Sequence, residues 1–229
     1  MEHPTGKSPK SVTIIGCGPT RKDYLDILAS PTPNIGTDEI WGVNTATNFC
    51  SVDVIFMIDD YVAIKGHLPY LQKIYESTTI PIITSVKRKD CPTAIDFPLS
   101  EVLAMNPNRD YLNHTLPFMV AYAALIGVKE LIIFGADYID PTVPYPHGKI
   151  HADKPQRYMG CMSYWIGFAE ARGMKVSVSP NSPLLDSDYT WEDKFYGYLI
   201  KPVVRREGDP VPEVKDEEPP TPKLVVNEE

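Results

Sequence analysis

Six short runs along the chain are apolar almost without interruption: "SVTIIG" (11–16), "EIWGVN" (39–44), "DVIFMI" (53–58), "IPIITS" (80–85), "ELIIFG" (130–135) and "MKVSVS" (174–179). Most lack the alternation of a strand wetted on one side, a pattern that predicts strands buried on both faces of a sheet. Between several of them the apolar spacing becomes helical, over 20–29, 61–76, 115–127 and 155–172. Alternating strands and helices predict an α/β protein: a single open, mostly parallel sheet with helices on both faces. Right-handed crossovers then gather the loops that follow the strands on one edge. The third helix has a readable start, with Thr115 as its cap and Pro117 in its first turn, and Gly127 stops it. Tyr164, Trp165 and Phe168 read as core residues of the last helix. Residues 86–110, with several charges and prolines, read as an irregular insertion.

Composition narrows this picture in three places. The chain has 229 residues and is 43% hydrophobic, enough for one ordinary core. From Arg205 onward it turns proline-rich and acidic, with no apolar periodicity, so residues 1–204 read as the folded domain and 205–229 as a disordered acidic tail. That tail holds four basic and eight acidic residues, half of the net charge of −8. A general basic footprint for nucleic acid is therefore missing, although a local patch such as Lys87-Arg88-Lys89 remains. Cys17, Cys50, Cys91 and Cys161 follow no metal or CxxC spacing, which predicts free thiols in a reducing compartment. With no signal-like segment and no apolar run long enough to span a bilayer, a cytoplasmic protein is expected.

The densest chemistry follows the first strand. Gly16-Cys17-Gly18-Pro19 leads into a helix, and Thr20, Arg21 and Lys22 add a hydroxyl and two cations. Glycines let backbone approach a ligand, and a helix start offers N–H groups to an anion, so a nucleotide phosphate or ribose suits the turn. A tight turn with no ligand is the alternative. The third glycine of a dinucleotide fingerprint would fall at Arg21, and no Gly-Lys-Ser/Thr follows, which argues against NAD enzymes and P-loop kinases.

"IIGCGPT" resembles the G-x-G-P-[ST] opening of the bacterial sialyltransferases of glycosyltransferase family 42, and of related Rossmann-like proteins that include 6-hydroxymethylpterin diphosphokinases. "EIWGVN", "HTLPFMVAYAALIGVKELIIFGADY", "GKIHADK" and "KVSVSPNSPLL" resemble later family segments, in the same order, between about residues 11 and 186. The resemblance implies a Rossmann-like nucleotide-sugar-binding catalytic domain. Gly16, Gly18, Pro19, Thr20 and Arg21 would line the nucleotide, Asn44 would contact donor sugar or phosphate, and Thr115 would match a donor-contacting serine. His151 would be the general base, Tyr138 and Tyr145 would ease departure of the nucleotide phosphate, and Asn181 and Ser182 would form the closing Pro-Asn-Ser turn. The sequence departs where a family arginine aligns with Leu112 and a family threonine with His114, which puts a sialic acid donor in doubt.

Several of these residues also have plain structural readings. Histidine as a residue type titrates near neutrality, so His151 could take an acceptor's proton, or else pin a loop. His147 and His151 stand four apart in a proline-rich loop that argues against a helical metal pair. Asp59 and Asp60 could hold Mg or Mn across a diphosphate, or could cap the following helix. Asp137, at the end of a strand, could orient a donor hydroxyl in catalysis or brace its loop.

The function implied is transfer of a sugar from a nucleotide-sugar donor to an acceptor hydroxyl, on a glycan, a small molecule or a modified DNA base. ATP-dependent pyrophosphoryl transfer of the pterin type and a non-catalytic nucleotide-binding module are the alternatives.

Overall fold

A computed structural model describes residues 3–33, 35–107, 111–138 and 154–186. Seven strands form one sheet in the order β5-β4-β3-β2-β1-β6-β7, every neighbouring pair parallel. The strands are β1 (Ser11–Ile15), β2 (Glu39–Val43), β3 (Val54–Phe56), β4 (Ile82–Thr84), β5 (Ala94–Asp96), β6 (Glu130–Phe134) and β7 (Lys175–Val178). Among the described residues the helices are α1 (Arg21–Leu28), α2 (Tyr61–Ile64), α3 (Pro69–Ser77), α4 (Leu99–Met105), α5 (Thr115–Ile126) and α6 (Lys154–Ala171). The chain is thus α/β and Rossmann-like, with helices on both faces of the sheet. Contacts group Met1–Thr190 into one compact unit, and the boundary expected at residue 204 lies outside the described residues.

The two-residue period of each strand divides its side chains between two cores. Val12, Ile14, Trp41 and Phe56 meet Val102 of α4, Met119 and Val120 of α5, and Trp165 of α6. Ile15, Ile55, Met57 and Ile82 meet Tyr24 of α1, Tyr61 and Ile64 of α2, and Leu71 and Tyr75 of α3. Trp165 is fully buried, with Tyr164 and Phe168 packed at the edge of the same core, as their spacing predicts. Helix α5 is apolar on nearly every side because the sheet, α4 and α6 enclose it.

Three local expectations change. The helix over 61–76 is two helices: Gly66 adopts φ +79°, which ends the first, and Pro69 opens the second. The stretch 86–110 is not wholly irregular, since it supplies the edge strand β5 and helix α4. The position before α5 is held by His114, with Thr115 its buried first residue, so Thr115 does not cap the helix.

The topology has one reversal that matters. From β1 the chain winds outward to β5, then crosses back to place β6 on the other side of β1. Loops after β1 and β6 therefore leave the carboxyl edge side by side, the usual position for a ligand in such sheets.

Candidate active site

The turn after β1 and the turn after β6 are clasped together. Gly16 N–H donates to Phe134 O at 2.8 Å, and Gly18 N–H to Gly135 O at 2.9 Å. A Cβ on Gly16 would stand 2.3 Å from Gly135 O, and one on Gly135, at φ +71°, would stand 2.5 Å from Gly16 O. Glycine is required at both positions because backbone meets backbone. Thr20 closes the clasp: its N–H and hydroxyl donate to the two oxygens of Asp137 at 2.7 and 2.5 Å, and its hydroxyl oxygen accepts from Gly135 N–H at 3.0 Å.

This geometry corrects the expectation of bare amides at the start of α1. Thr20 N–H faces Asp137, while Arg21, Lys22 and Asp23 N–H donate to the carbonyls of Gly18, Pro19 and Thr20 at 3.0–3.1 Å. Arg21 folds back, donating from Nη1 to Cys17 O at 2.6 Å and to Gly18 O at 3.1 Å, with its guanidinium over the Phe49 ring. Burial pushes the Asp137 carboxyl up from its ordinary value, against the hydrogen bonds from Thr20 that favour its charge. Asp137 thus braces the clasp.

The turn after β7 locks onto the same edge. Asn181 donates from Nδ2 to both oxygens of Asp23 at 3.0 Å, and the Ser179 hydroxyl donates to the same carboxylate. Buried Ser182 donates to Ala136 O at 3.3 Å and accepts from Leu184 N–H. Gly16, Gly18, Thr20, Asp137, Asn181 and Ser182 are therefore brought together, in bonds to one another and to this edge.

Asn44 stands apart from that network. It follows β2 with φ +48°, its N–H donates to Phe56 O, and its Oδ1 is buried with no hydrogen-bond partner among the described residues. Cys17 Sγ lies 3.6 Å from both Val43 O and Thr45 Oγ1, which places the β1 turn beside Asn44.

Tyr138 follows Asp137 with φ +50°, and its hydroxyl lies 2.7 Å from His114 Nε2. His114 Nδ1 lies 2.7 Å from Asn113 Oδ1, and Asn113 Nδ2 donates to Arg157 O at 3.2 Å. The Tyr158 ring stacks on the imidazole at 4.6 Å between centroids. Burial pushes the pKa of His114 down to about 3, so the imidazole is neutral at ordinary pH. Sequence reading treated His114 only as a departure from a family pattern. The signal available was a histidine just before the first turn of a strongly apolar helix.

Asp60 caps α2, accepting from Val62 N–H at 3.0 Å, and takes two bonds from Arg88, Nη2 at 2.6 Å and Nε at 3.2 Å. The Arg88 guanidinium, with the Val62 amide, holds its carboxyl below the usual range. A divalent ion at Asp60 would have to displace Arg88, so the pair Asp59 and Asp60 does not fit a metal as arranged. Among the described residues no group of three or more His, Cys, Asp or Glu is placed to hold one. Arg88 is likewise committed within the basic cluster at 87–89. Tyr145, His147 and His151 lie outside the described residues.

All four cysteines are unpaired, and no described helix is long and apolar enough to cross a membrane. No protein-family model matches the sequence, and a search of curated proteins finds no relative. Among solved structures the chain is similar to the sialyltransferase CstII from Campylobacter jejuni. In complex with cytidine-5'-monophosphate that protein is 19% identical, the match covering 76% of this chain and 82% of that one, with a TM-score of 0.46. Its complex with CMP-3FNeuAc gives 20% identity over 77% and 83%, with a TM-score of 0.47. None of these chains is close enough to transfer a residue's role.

Proposed function

We propose that the protein is a glycosyltransferase that moves a sugar from a nucleotide-sugar donor to an acceptor hydroxyl. The observation that carries this reading is Asn44. A buried acceptor left without a partner costs about 1–3 kcal/mol, and here it stands at the carboxyl end of β2, beside the β1 turn. A ribose or sugar hydroxyl would satisfy it by donating to Oδ1, and a fully ionised phosphate would not. Asparagine tolerates the left-handed backbone that holds the amide there.

In this reading the clasped glycine turn is a rigid floor under the donor, since the amides of Gly16 and Gly18 are spent on the β6 turn. Thr115 is assigned to the donor side, and the tyrosines to the departing phosphate. His151 keeps the base role that the sequence resemblance gives it, and the catalytic domain is assigned to residues 1–204. Asp60, held by Arg88, favours transfer without a metal at that position over metal-dependent pyrophosphoryl transfer.

The test is a thermal-shift series with CMP-, UDP-, GDP- and ADP-sugars beside ATP, with and without magnesium. One sugar nucleotide should raise the midpoint with concentration, and Asn44→Ala should weaken its affinity about tenfold, roughly 1.4 kcal/mol. Stabilisation by ATP and magnesium alone would overturn the reading in favour of pyrophosphoryl transfer.

A further inference from the structure

Two loops grip the side chain of Arg21. In the β1 turn, the carbonyls of Cys17 and Gly18 accept from its Nη1 at 2.6 and 3.1 Å. In the loop after β2, the Phe49 ring lies against the guanidinium, with 5.3 Å from its central carbon to the ring centroid. Phe49 is itself held, since its N–H donates to Ala46 O at 3.1 Å and closes the short turn at Ala46–Asn48. Its ring packs against the core that contains Tyr24 and Ala46. A guanidinium laid on an aromatic face keeps its charge and loses little further freedom when it binds.

This grip leaves over a charge and an edge. A guanidinium has five N–H donors and no acceptor. With Nη1 spent on the two carbonyls, Nε and Nη2 donate to nothing among the described residues, and Arg21 is half-buried. Other cations on this side of the molecule are differently placed: Lys22 is paired with Asp26, Lys65 with Asp90 and Arg88 with Asp60. Among the described residues Arg21 meets only neutral carbonyls and a neutral ring. A fixed guanidinium with Nε and Nη2 open suits two oxygens of one phosphate.

Cys17 sets the place of this edge relative to Asn44. Its carbonyl holds the guanidinium, while its Sγ lies 3.6 Å from Val43 O and from Thr45 Oγ1, on either side of Asn44. Asn44 Oδ1 is the buried acceptor without a partner among the described residues. A nucleoside 5′-phosphate carries the matching groups, ribose hydroxyls that donate and a phosphate that accepts.

Resting on the glycosyl-transfer reading, we propose that Arg21 clamps the donor phosphate through Nε and Nη2, and that Phe49 is a positioning residue that holds the guanidinium for it. The donor hydroxyl reaches Asn44 and the phosphate reaches Arg21, with Cys17 between them. The clamp meets the phosphate charge with a side chain and needs no divalent ion.

The test sets each nucleotide against its own nucleoside in the full chain: CMP, UDP, GDP and ADP against cytidine, uridine, guanosine and adenosine, by thermal shift with EDTA present. The nucleotide that stabilises the wild type should bind Arg21→Gln about 10–100-fold more weakly. The matching nucleoside should change by less than about twofold, and the unliganded midpoint checks folding. Phe49→Leu should weaken the nucleotide several-fold, and Phe49→Tyr, which keeps the ring, should restore it. Wild-type nucleotide affinity in Arg21→Gln, or an equal loss for nucleotide and nucleoside, overturns the clamp. Equal affinities of Phe49→Leu and Phe49→Tyr remove Phe49 from it. Nucleotide binding only when magnesium replaces EDTA also overturns the clamp, and no binding in either condition takes the transfer reading with it. Arg21-dependent binding of a nucleotide, with no CMP-, UDP-, GDP- or ADP-sugar bound, sinks the transfer reading and leaves the clamp standing.

Discussion

Among the described residues, two histidine–tyrosine pairs lie at opposite ends of the sheet. At the amino edge, His3 Nδ1 lies 3.1 Å from Tyr122 Oη, and His3 Nε2 lies 2.7 Å from Glu39 Oε2. Glu39 also accepts from Thr5 at 2.5 Å and from the Trp41 indole at 2.8 Å. Burial alone would push its carboxyl up, but the bonds from His3, Thr5 and Trp41 together outweigh this and hold it below the ordinary value. At the carboxyl edge, His114 is paired instead with an amide and a phenol, is only half-buried, and is neutral. A carboxylate partner makes an anchor, since the donors gathered on Glu39 hold it ionised below its ordinary value. An amide partner brings no opposite charge, so burial alone acts on the imidazole and keeps it neutral. Helix α5 joins the two, with His114 before its first turn and Tyr122 in its body.

The sharpest way to break this contrast is at the anchor. Glu39→Ala leaves His3, Thr5 and the Trp41 indole without their shared acceptor in a fully buried place, and should cost about 3 kcal/mol or more, read from the denaturant midpoint. A loss below about 1 kcal/mol would mean that the amino-edge network anchors nothing. The clasp beneath Tyr138 comes next. Thr20→Val removes the hydroxyl that joins Asp137 to Gly135 N–H and should cost about 2 kcal/mol. By loosening Tyr138 it should also lower turnover more than it lowers donor binding.

The smallest effect, read over a single pH unit, is the pH dependence that His114 contributes. Because native His114 stays neutral down to about 3, against an ordinary value of 6.5, the unfolded chain takes up its proton first as pH falls. Its contribution to stability is complete above about 6.5 and is lost between there and about 3, at no more than about 1.4 kcal/mol per pH unit. His114→Gln should flatten the pH dependence of stability in that window relative to the wild type. An unchanged slope would mean that His114 is already protonated in the native state.

Much of the frame was legible in the sequence because β1, β2, β3 and β6 are continuous apolar runs buried on both faces. Strand β5 was not, since only Ala94 of its three residues is buried and Ile95 faces solvent at the sheet edge. Helix α4 is seven residues long with Val102 its only fully enclosed side chain, too little to register as a period. Within the site, the glycines after β1 were read as room for a ligand, and the structure gives that room to the β6 turn. The capping role of Asp60 was readable from its position before a helix, whereas its partner Arg88 stands 28 residues away. The contact between His114 and Tyr138 spans 24 residues and depends on which strand β6 pairs with, information that spacing does not carry.

The meeting of Gly16 with Gly135 has a practical consequence for anyone redesigning this protein. Saturation at either position alone would return a column of failures and suggest two independent invariant sites. The restriction belongs to the gap between β1 and β6, so a graft that changes substrate choice here must move both turns together, as one cassette.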